Sequence, residues 1–288
     1  MSAQDIYLRT GPFTTHLRTA IPDLIADIDA LYDRTQITSP AAFADFHVEV
    51  AVPFLRRRYR PKAQFIVDGE EPFRPLPIDQ ALPIFEWGLN WCVSSYANQF
   101  LILHAATVAK GGRAVVMPGA PGSGKSTLAA ALVHRGWRLL SDELTLVLPD
   151  SGTVIGLGRP ISLKNESIEV IREFVPTAHV SRVAHDTAKG RVAMLKAPRE
   201  SVARIAEPAR PTWIVFPKYL NGLPAVLERR PKAHVMFELV RNSFNHGLHG
   251  HRGFAMLADI VDACSCYRFT YQLLDAAVET FEELAARC

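Results

Sequence analysis

Between Met117 and Thr127 the chain reads MPGAPGSGKST, and Gly119, Gly124, Lys125 and Ser126 within it satisfy the spacing G-x-x-x-x-G-K-[ST]. That pattern suits a polyphosphate. Glycines let successive backbone N–H groups point inward around phosphate oxygens, and the N-terminus of a following helix adds positive potential. Gly119, Ala120, Pro121, Gly122, Ser123, Gly124, Lys125, Ser126 and Thr127 are therefore the candidate residues for binding a nucleotide triphosphate. Lys125 would span the β and γ phosphates, and the Ser126 hydroxyl would hold Mg2+.

The next candidates are acidic. Asp142 and Glu143 follow Lys125 after room for only one helix and one strand. At a strand terminus facing the phosphates, one carboxylate can fix Mg2+ while the other accepts a proton from an attacking hydroxyl. Asp142 is the candidate base and Glu143 the candidate metal ligand. This compact spacing separates the chain from most P-loop ATPases with an Asp-Glu pair, in which the acidic strand comes much later. His104, in LILHAAT, falls on the strand expected to pair with the one leading into the loop. Its alternatives are a satisfied core histidine or a group contacting the γ-phosphate and assisting the base.

Two later segments carry mixed polar chemistry. GRPISLKNESIEV offers Arg159, Lys164, Asn165 and Glu166, able to contact triphosphate oxygens, Mg2+ or an acceptor, with Lys164 preferred for the nucleotide and Glu166 for the metal. HDTAKGRVAMLKAP adds Asp186, Thr187, Lys189 and Gly190 on what reads as a loop. Either segment also suits a polar surface. NSFNHGLHGHRGF holds His246, His249 and His251 among glycines, without a helical HxxxH and a nearby acid, so it reads as a loop between helices rather than a metal site.

The elements that must position these residues follow from periodicity. LILHAATVAK and RAVVMP are strand-like runs joined by Gly111-Gly112, the pair expected of a tight hairpin. KSTLAAALVHR is a helix ending near Gly136, and WRLLSDELTLVLPD and TVIGLGRPISL follow as strands. Upstream, PDLIADIDALYDR places Leu24, Ile28 and Leu31 on one helical face. FADFHVEVAVPFLRRRYRPKAQFIVDG alternates like strands around the basic cluster Arg56, Arg57, Arg58, Arg60 and Lys62, read as a solvated edge or a dock for an acidic partner. The Pro-rich EEPFRPLPID reads as a linker, which sets a boundary between residues 1–79, an N-terminal α+β domain, and residues 80–288, an α/β P-loop domain. QLLDAAVETFEELAA closes the chain as an amphipathic helix.

Composition narrows the class. With 288 residues, 48% hydrophobic and 21% charged, the chain has a globular composition. A net charge of +3 is far from that of a dedicated nucleic-acid binder. Cys92, Cys264, Cys266 and Cys288 form no zinc spacing, and reduced thiols in the cytosol are expected. The N-terminus lacks the basic start and apolar run of a secretory signal. ALPIFEWGLNWCVSSYANQF, with Glu86, Asn90, Asn98 and Gln99, reads as a mostly buried helix rather than a membrane span.

The stretch LHAATVAKGGRAVVMPGAPGSGKSTLAAALVHRGWRLLSDELTLV resembles the catalytic core of HPr kinase/phosphorylase. The wider pattern, including FADFHV, FEWGLNWC, RPISLKNESIEVI, DTAKG, WIVFPKY, NSFNHGL and CYRFTY, resembles the HPr-kinase-related kinase A family, and it is similar to the kinases of lasso-peptide tails. The resemblance implies a P-loop core of the HPr kinase / PEP carboxykinase type and an ATP- and Mg2+-dependent phosphotransferase. In it Asp142 matches the base, Glu143 the second acidic position and His104 the histidine near the γ-phosphate. The chain has Asp-Glu where HPr kinase/phosphorylase has two aspartates, so neither HPr as substrate nor the reverse reaction follows. The expected acceptor is a hydroxyl, foremost a serine of a peptide or small protein. A small-molecule acceptor and a nucleotide-gated ATPase stand as alternatives, the second disfavoured by the Lys125–Asp142 spacing. Neither nucleic acid nor membrane is expected as a partner, a homo-oligomer is allowed, and the expected location is cytoplasmic.

Overall fold

The computed structural model describes residues 2–38, 43–53 and 61–287. Arg56, Arg57, Arg58 and Arg60 of the basic cluster, and Cys288, lie outside them. The first unit consists of β1 (Gln4–Thr10), β2 (Phe13–Thr19), α1 (Pro22–Leu31), β3 (Ile37–Thr38), β4 (Phe46–Ala51), β5 (Lys62–Val67) and β6 (Leu76–Pro77). Its strands form one sheet in the order β3-β1-β2-β4-β5-β6. Leu8, Leu17, Val48, Val50 and Phe65 point to the buried face, the period-2 pattern of a half-buried sheet. The segment that reads as a linker is partly built into this sheet, because Leu76 and Pro77 pair with Ala63 and Lys62. Proline is tolerated there because β6 is an edge strand.

Helix α2 (Ala81–Tyr96) then runs across the N-terminal sheet, its apolar residues merging with Phe65, Leu24, Ile28 and Tyr32. The same hydrophobic cluster continues onto Phe100, Ile102, Leu144, Leu146 and Leu157, so the apolar core is continuous across residue 80.

The remainder is a mixed α/β assembly. β7 (Leu101–Lys110), β8 (Arg113–Pro118), α3 (Lys125–Val133), β9 (Arg138–Ser141), β10 (Leu144–Val147), β11 (Val154–Ile155), β12 (Ile161–Lys164), α4 (Glu166–Phe174), β13 (Ala184–Thr187) and β14 (Gly190–Leu195) come first. They are followed by α5 (Arg199–Ala203), β15 (Arg210–Tyr219), β16 (Val226–Arg229), α6 (Lys232–Arg241), α7 (Gly250–Ala263), β17 (Ser265–Tyr271) and α8 (Leu274–Ala286). The large sheet runs β11-β10-β7-β8-β15-β17-β16, with β9 also pairing to β7. β8, β15 and β17 are mutually parallel, while β7 is antiparallel to β8. Helices cover both faces, as a sheet with parallel central strands requires. Val115, Met117, Trp213 and Val215 meet α3 and α8 on one side; Ala114, Val116 and Ile214 meet α6 and α7 on the other. A small sheet, β12-β14-β13, closes over α3. The DTAK segment is therefore not a free loop but part of the tight hairpin joining β13 to β14.

Gly88 reports how closely α2 lies on the N-terminal sheet. A Cβ there would meet the Phe65 ring at 2.2 Å, and that ring is fully buried. Alanine gains about 1 kcal/mol of helix propensity, but overpacking against a ring with nowhere to move costs about 1–3 kcal/mol. Overpacking is expected to win, so Gly88→Ala lowers the urea-unfolding free energy; an unchanged or raised value would show that α2 can slide.

Candidate active site

Strand β8 ends at Pro118 and the chain turns through Gly119, Gly122 and Gly124, all with positive φ, before α3 begins at Lys125. Gly124 is required twice over. Its φ of +96° suits glycine, and a Cβ would lie 2.4 Å from the Tyr271 hydroxyl. That hydroxyl donates to the Gly124 carbonyl at 2.9 Å, and the Tyr219 N–H donates to the Ser123 carbonyl at 3.2 Å, so the ends of β15 and β17 fix the loop from outside. The Lys125 ammonium is held inside it, donating to the carbonyls of Gly119 at 2.6 Å and Ala120 at 3.0 Å.

Asp142 and Glu143 sit where one strand is interrupted. Ser141 pairs with Thr107 and Leu144 with His104, both on β7, so the ladder resumes in register across the two acidic residues, which bend off it between β9 and β10. The bend frees both side chains from sheet alternation. Asp142 Oδ2 accepts from the Ser162 N–H at 2.9 Å, and Oδ1 is buried without a hydrogen-bond partner. The Ser126 hydroxyl of the loop approaches this carboxyl. Burial, reinforced by Glu143, pushes the Asp142 carboxyl up to about 6 against the pull of Lys164.

Glu143 is treated differently. Its Oε1 accepts from Lys164 Nζ at 3.1 Å and its Oε2 from Asn90 Nδ2 at 2.6 Å. Burial pushes its carboxyl up, but Lys164 and Lys189 outweigh that and hold it below the usual value. Adjacent carboxylates thus differ in proton affinity through their surroundings alone. Lys189, presented by the β13–β14 turn, has its ammonium 4.9 Å from the Trp87 ring, and burial lowers its proton affinity while Glu143 raises it. His104 is half-buried at the same place, its affinity lowered by burial and then by Lys125, with its ring edge-on to Phe244.

Three ammonium groups therefore face two carboxylates, an excess of positive charge that suits an anionic ligand. The donor set also fits Mg2+, which takes oxygen ligands and keeps much of its shell from water and substrate phosphates. Asp142 Oδ1 is unpartnered, and the Ser126 hydroxyl and Glu143 lie close to the Asp142 carboxyl. Among the described residues no group of three or more His, Cys, Asp or Glu could hold a metal unaided. A cleft beside the pair is lined by Glu86, Trp87, Asn90, Arg159, Pro160 and Ser162 in addition to the carboxylates. Trp87 Nε1, Arg159 Nε and Ser162 Oγ are also buried without partners there.

The structure thus brings Lys125, Ser126, Asp142, Glu143, Lys164 and His104 together. It does not bring in Glu166, which is exposed on the first turn of α4. Arg159 is buried and bound by Glu86 and Asn90 rather than turned toward the loop. Glu86, Asn90 and Ser162 join the site unannounced by any nucleotide motif. The signal for the first two was a charged and an amide residue one helical turn apart on an otherwise apolar helix.

A family model described as SynChlorMet cassette protein ScmC matches residues 89–155, from within α2 to β11, which includes the loop and the acidic pair. No curated protein matches the chain. Among solved structures it is similar to "Structure of the Hpr(Ser) kinase/phosphatase from Coxiella burnetii", at 12% identity and a TM-score of 0.28, covering 65% of this chain and 99% of that one. No helix among the described residues is long and apolar enough to cross a membrane.

The Asp142 shift has a consequence for stability. From pH 3.8 to about 6 the folded chain holds a proton that the unfolded chain has released, so stability falls as pH rises through that window. Asp142→Asn removes this penalty. The variant is expected to melt a few degrees higher than wild type at pH 7, with the difference shrinking toward pH 4 in calorimetry; an equal or lower melting temperature at pH 7 contradicts the shift.

Proposed function

We propose that the chain is an ATP-dependent phosphotransferase that moves the γ-phosphoryl group to a hydroxyl, foremost a serine of a peptide or small protein. The observation carrying this reading is the Asp142 carboxyl: buried, with one free oxygen, adjacent to Ser126 of the phosphate loop and raised to about 6. A carboxylate tuned toward neutral pH and lodged beside a phosphate cradle is the arrangement a general base needs.

In this reading the loop amides of residues 119–124 and Lys125 bind the phosphates. Lys164 and Lys189 stabilise charge on the transferring group, with His104 at the same edge. Ser126 and Glu143 would hold Mg2+, which would neutralise charge on phosphate oxygens. The acceptor enters by the cleft between α2 and the acidic turn. Its hydroxyl proton passes to Asp142, the oxygen forms a bond to the γ-phosphorus, and the bond to the β–γ bridging oxygen breaks, releasing ADP. The motif resemblance to HPr kinase/phosphorylase and the HPr-kinase-related kinase A family supports serine as acceptor and a cytosolic setting. Glu166 has no support as a metal ligand from its exposed position.

With labelled ATP and Mg2+, label is expected on a peptide or small-protein serine. Label on a metabolite would redirect the reading to a small-molecule kinase, and label released only as free phosphate would redirect it to a nucleotide-gated ATPase. Asp142→Asn is expected to reduce transfer by at least about 10²-fold while ATP affinity changes little. In wild type the rate should rise with pH through about 6 as Asp142 loses its proton. Unchanged transfer in the variant, or a flat profile between pH 5 and 7, removes Asp142 as the base.

A further inference from the structure

The N-terminal unit grips the short segment 156–159, which leads into β12 and the Asp142 partner Ser162. Gly11, at φ +60°, turns β1 into β2 so closely against this segment that a Cβ would meet the Gly156 carbonyl at 2.2 Å. Gln36 Nε2 donates to the Gly158 carbonyl at 2.9 Å. Leu157 is buried in the cluster that contains Leu8 and Tyr32. Arg159, which follows Gly158, is itself buried and donates to Glu86 and Asn90 of α2, and the Tyr32 hydroxyl of the N-terminal unit donates to the same Glu86.

We infer that the N-terminal unit is a positioning element for the phosphoryl-transfer carboxylates, acting from Tyr32 through Glu86, Arg159 and Asn90 onto Glu143; as a claim about transfer, this rests on the kinase reading. The Tyr32 hydroxyl donates to Glu86 Oε1 at 2.6 Å. Glu86 Oε2 accepts from Arg159 Nη2 at 2.6 Å, and the Glu86 carbonyl accepts from the same nitrogen at 2.6 Å. Arg159 Nη1 donates to Asn90 Oδ1 at 2.6 Å, and Asn90 Nδ2 donates to Glu143 Oε2 at 2.6 Å.

Chemistry fixes the direction of each link. A guanidinium has only donors, so the Asn90 oxygen must face Arg159 and its amide nitrogen must face Glu143. That nitrogen can only donate, so the Glu143 oxygen it meets must remain an acceptor. With Lys164 on its other oxygen, Glu143 is held as an ionised carboxylate in one orientation. Asp142 receives no such clamp on Oδ1 and stays available. At the far end the Tyr32 phenol keeps its proton, because burial and then the Glu86 charge raise its affinity. None of the four residues touches the loop; they are positioning residues.

A buried ion pair such as Arg159–Glu86 adds less stability than apolar groups of the same volume. A purely structural network has no reason to end on the carboxylate next to the base. The relay also explains why a buried polar ladder runs through the apolar core that joins the two parts of the chain.

Tyr32→Phe in the full-length protein removes one hydroxyl and keeps the packed ring. Expected is a fall in kcat of about tenfold or more, with KM for ATP within about twofold of wild type, since the loop is untouched. A lower melting temperature with unchanged kcat per folded molecule overturns the inference. A second measurement is independent of activity: unfolding of Tyr32→Phe, Glu143→Gln and the double variant in urea. Residues so far separated along the relay should act independently, their effects on the unfolding constant multiplying, unless the links couple them. A departure from that product of about threefold or more is expected, and a simple product overturns the relay. If wild type neither transfers phosphate nor hydrolyses ATP, the kinase reading fails by itself, and the unfolding cycle decides the relay.

Discussion

Two neighbouring carboxylates are kept out of water against three ammonium groups, and most of the structure around them exists to make that arrangement tolerable. Burying a carboxylate alone is unfavourable by several kcal/mol, so the group is either paired or protonated. Glu143 takes the first route, through Lys164 and Asn90, and Asp142 is moved part of the way along the second. The difference arises within two consecutive residues because both lie in the bend between β9 and β10, off the ladder with β7. A regular strand would have sent the two side chains to opposite faces.

The glycine-rich loop meets this pair through geometry fixed from several directions. β8 and β15 are hydrogen-bonded neighbours, and the Tyr219 and Tyr271 contacts tie the loop backbone to the ends of β15 and β17. α3 is buried almost all round between the large sheet, α4, α8 and the small β12-β14-β13 sheet, which accounts for its run of small residues, KSTLAAALV. Its first turn carries Lys125 and Ser126, and the small sheet supplies Ser162, Lys164 and Lys189. The loop and the acidic turn are therefore carried on separate elements locked by the same core, an arrangement that holds charged groups near one another without relying on their own attraction.

Polar ties accompany the apolar continuity between the N-terminal unit and the rest. Arg182 pairs with Asp23 and Asp27 of α1, Lys196 Nζ donates to the Ala30 carbonyl at 2.7 Å, and Gln80 Nε2 donates to the His185 carbonyl at 2.8 Å. The exposed pairs contribute little individually. Together they hold α1 and the start of α2 against the β13–β14 hairpin that carries Lys189 and the segments flanking it.

The loop motif, the Gly111-Gly112 hairpin, the helix over Lys125 and the buried character of the 81–100 segment were legible locally, because each rests on side-chain period or glycine chemistry within about ten residues. The mixed α/β class followed from the same signals. The N-terminal hairpin of β1 and β2 is not legible in the sequence, and the 70–79 segment reads as a linker because proline obscures an edge strand. DTAKG looked like a loop because its turn lies inside a hairpin of short strands. By itself the sequence determined a glycine-rich loop with the G-x-x-x-x-G-K-[ST] spacing, followed closely by two acids. Only the tertiary structure decided which acid stays free and which is clamped, that Arg159 serves Glu86 and Asn90 rather than a phosphate, and that Glu166 stays outside. Those outcomes depend on contacts between residues up to 73 positions apart, which no local pattern encodes.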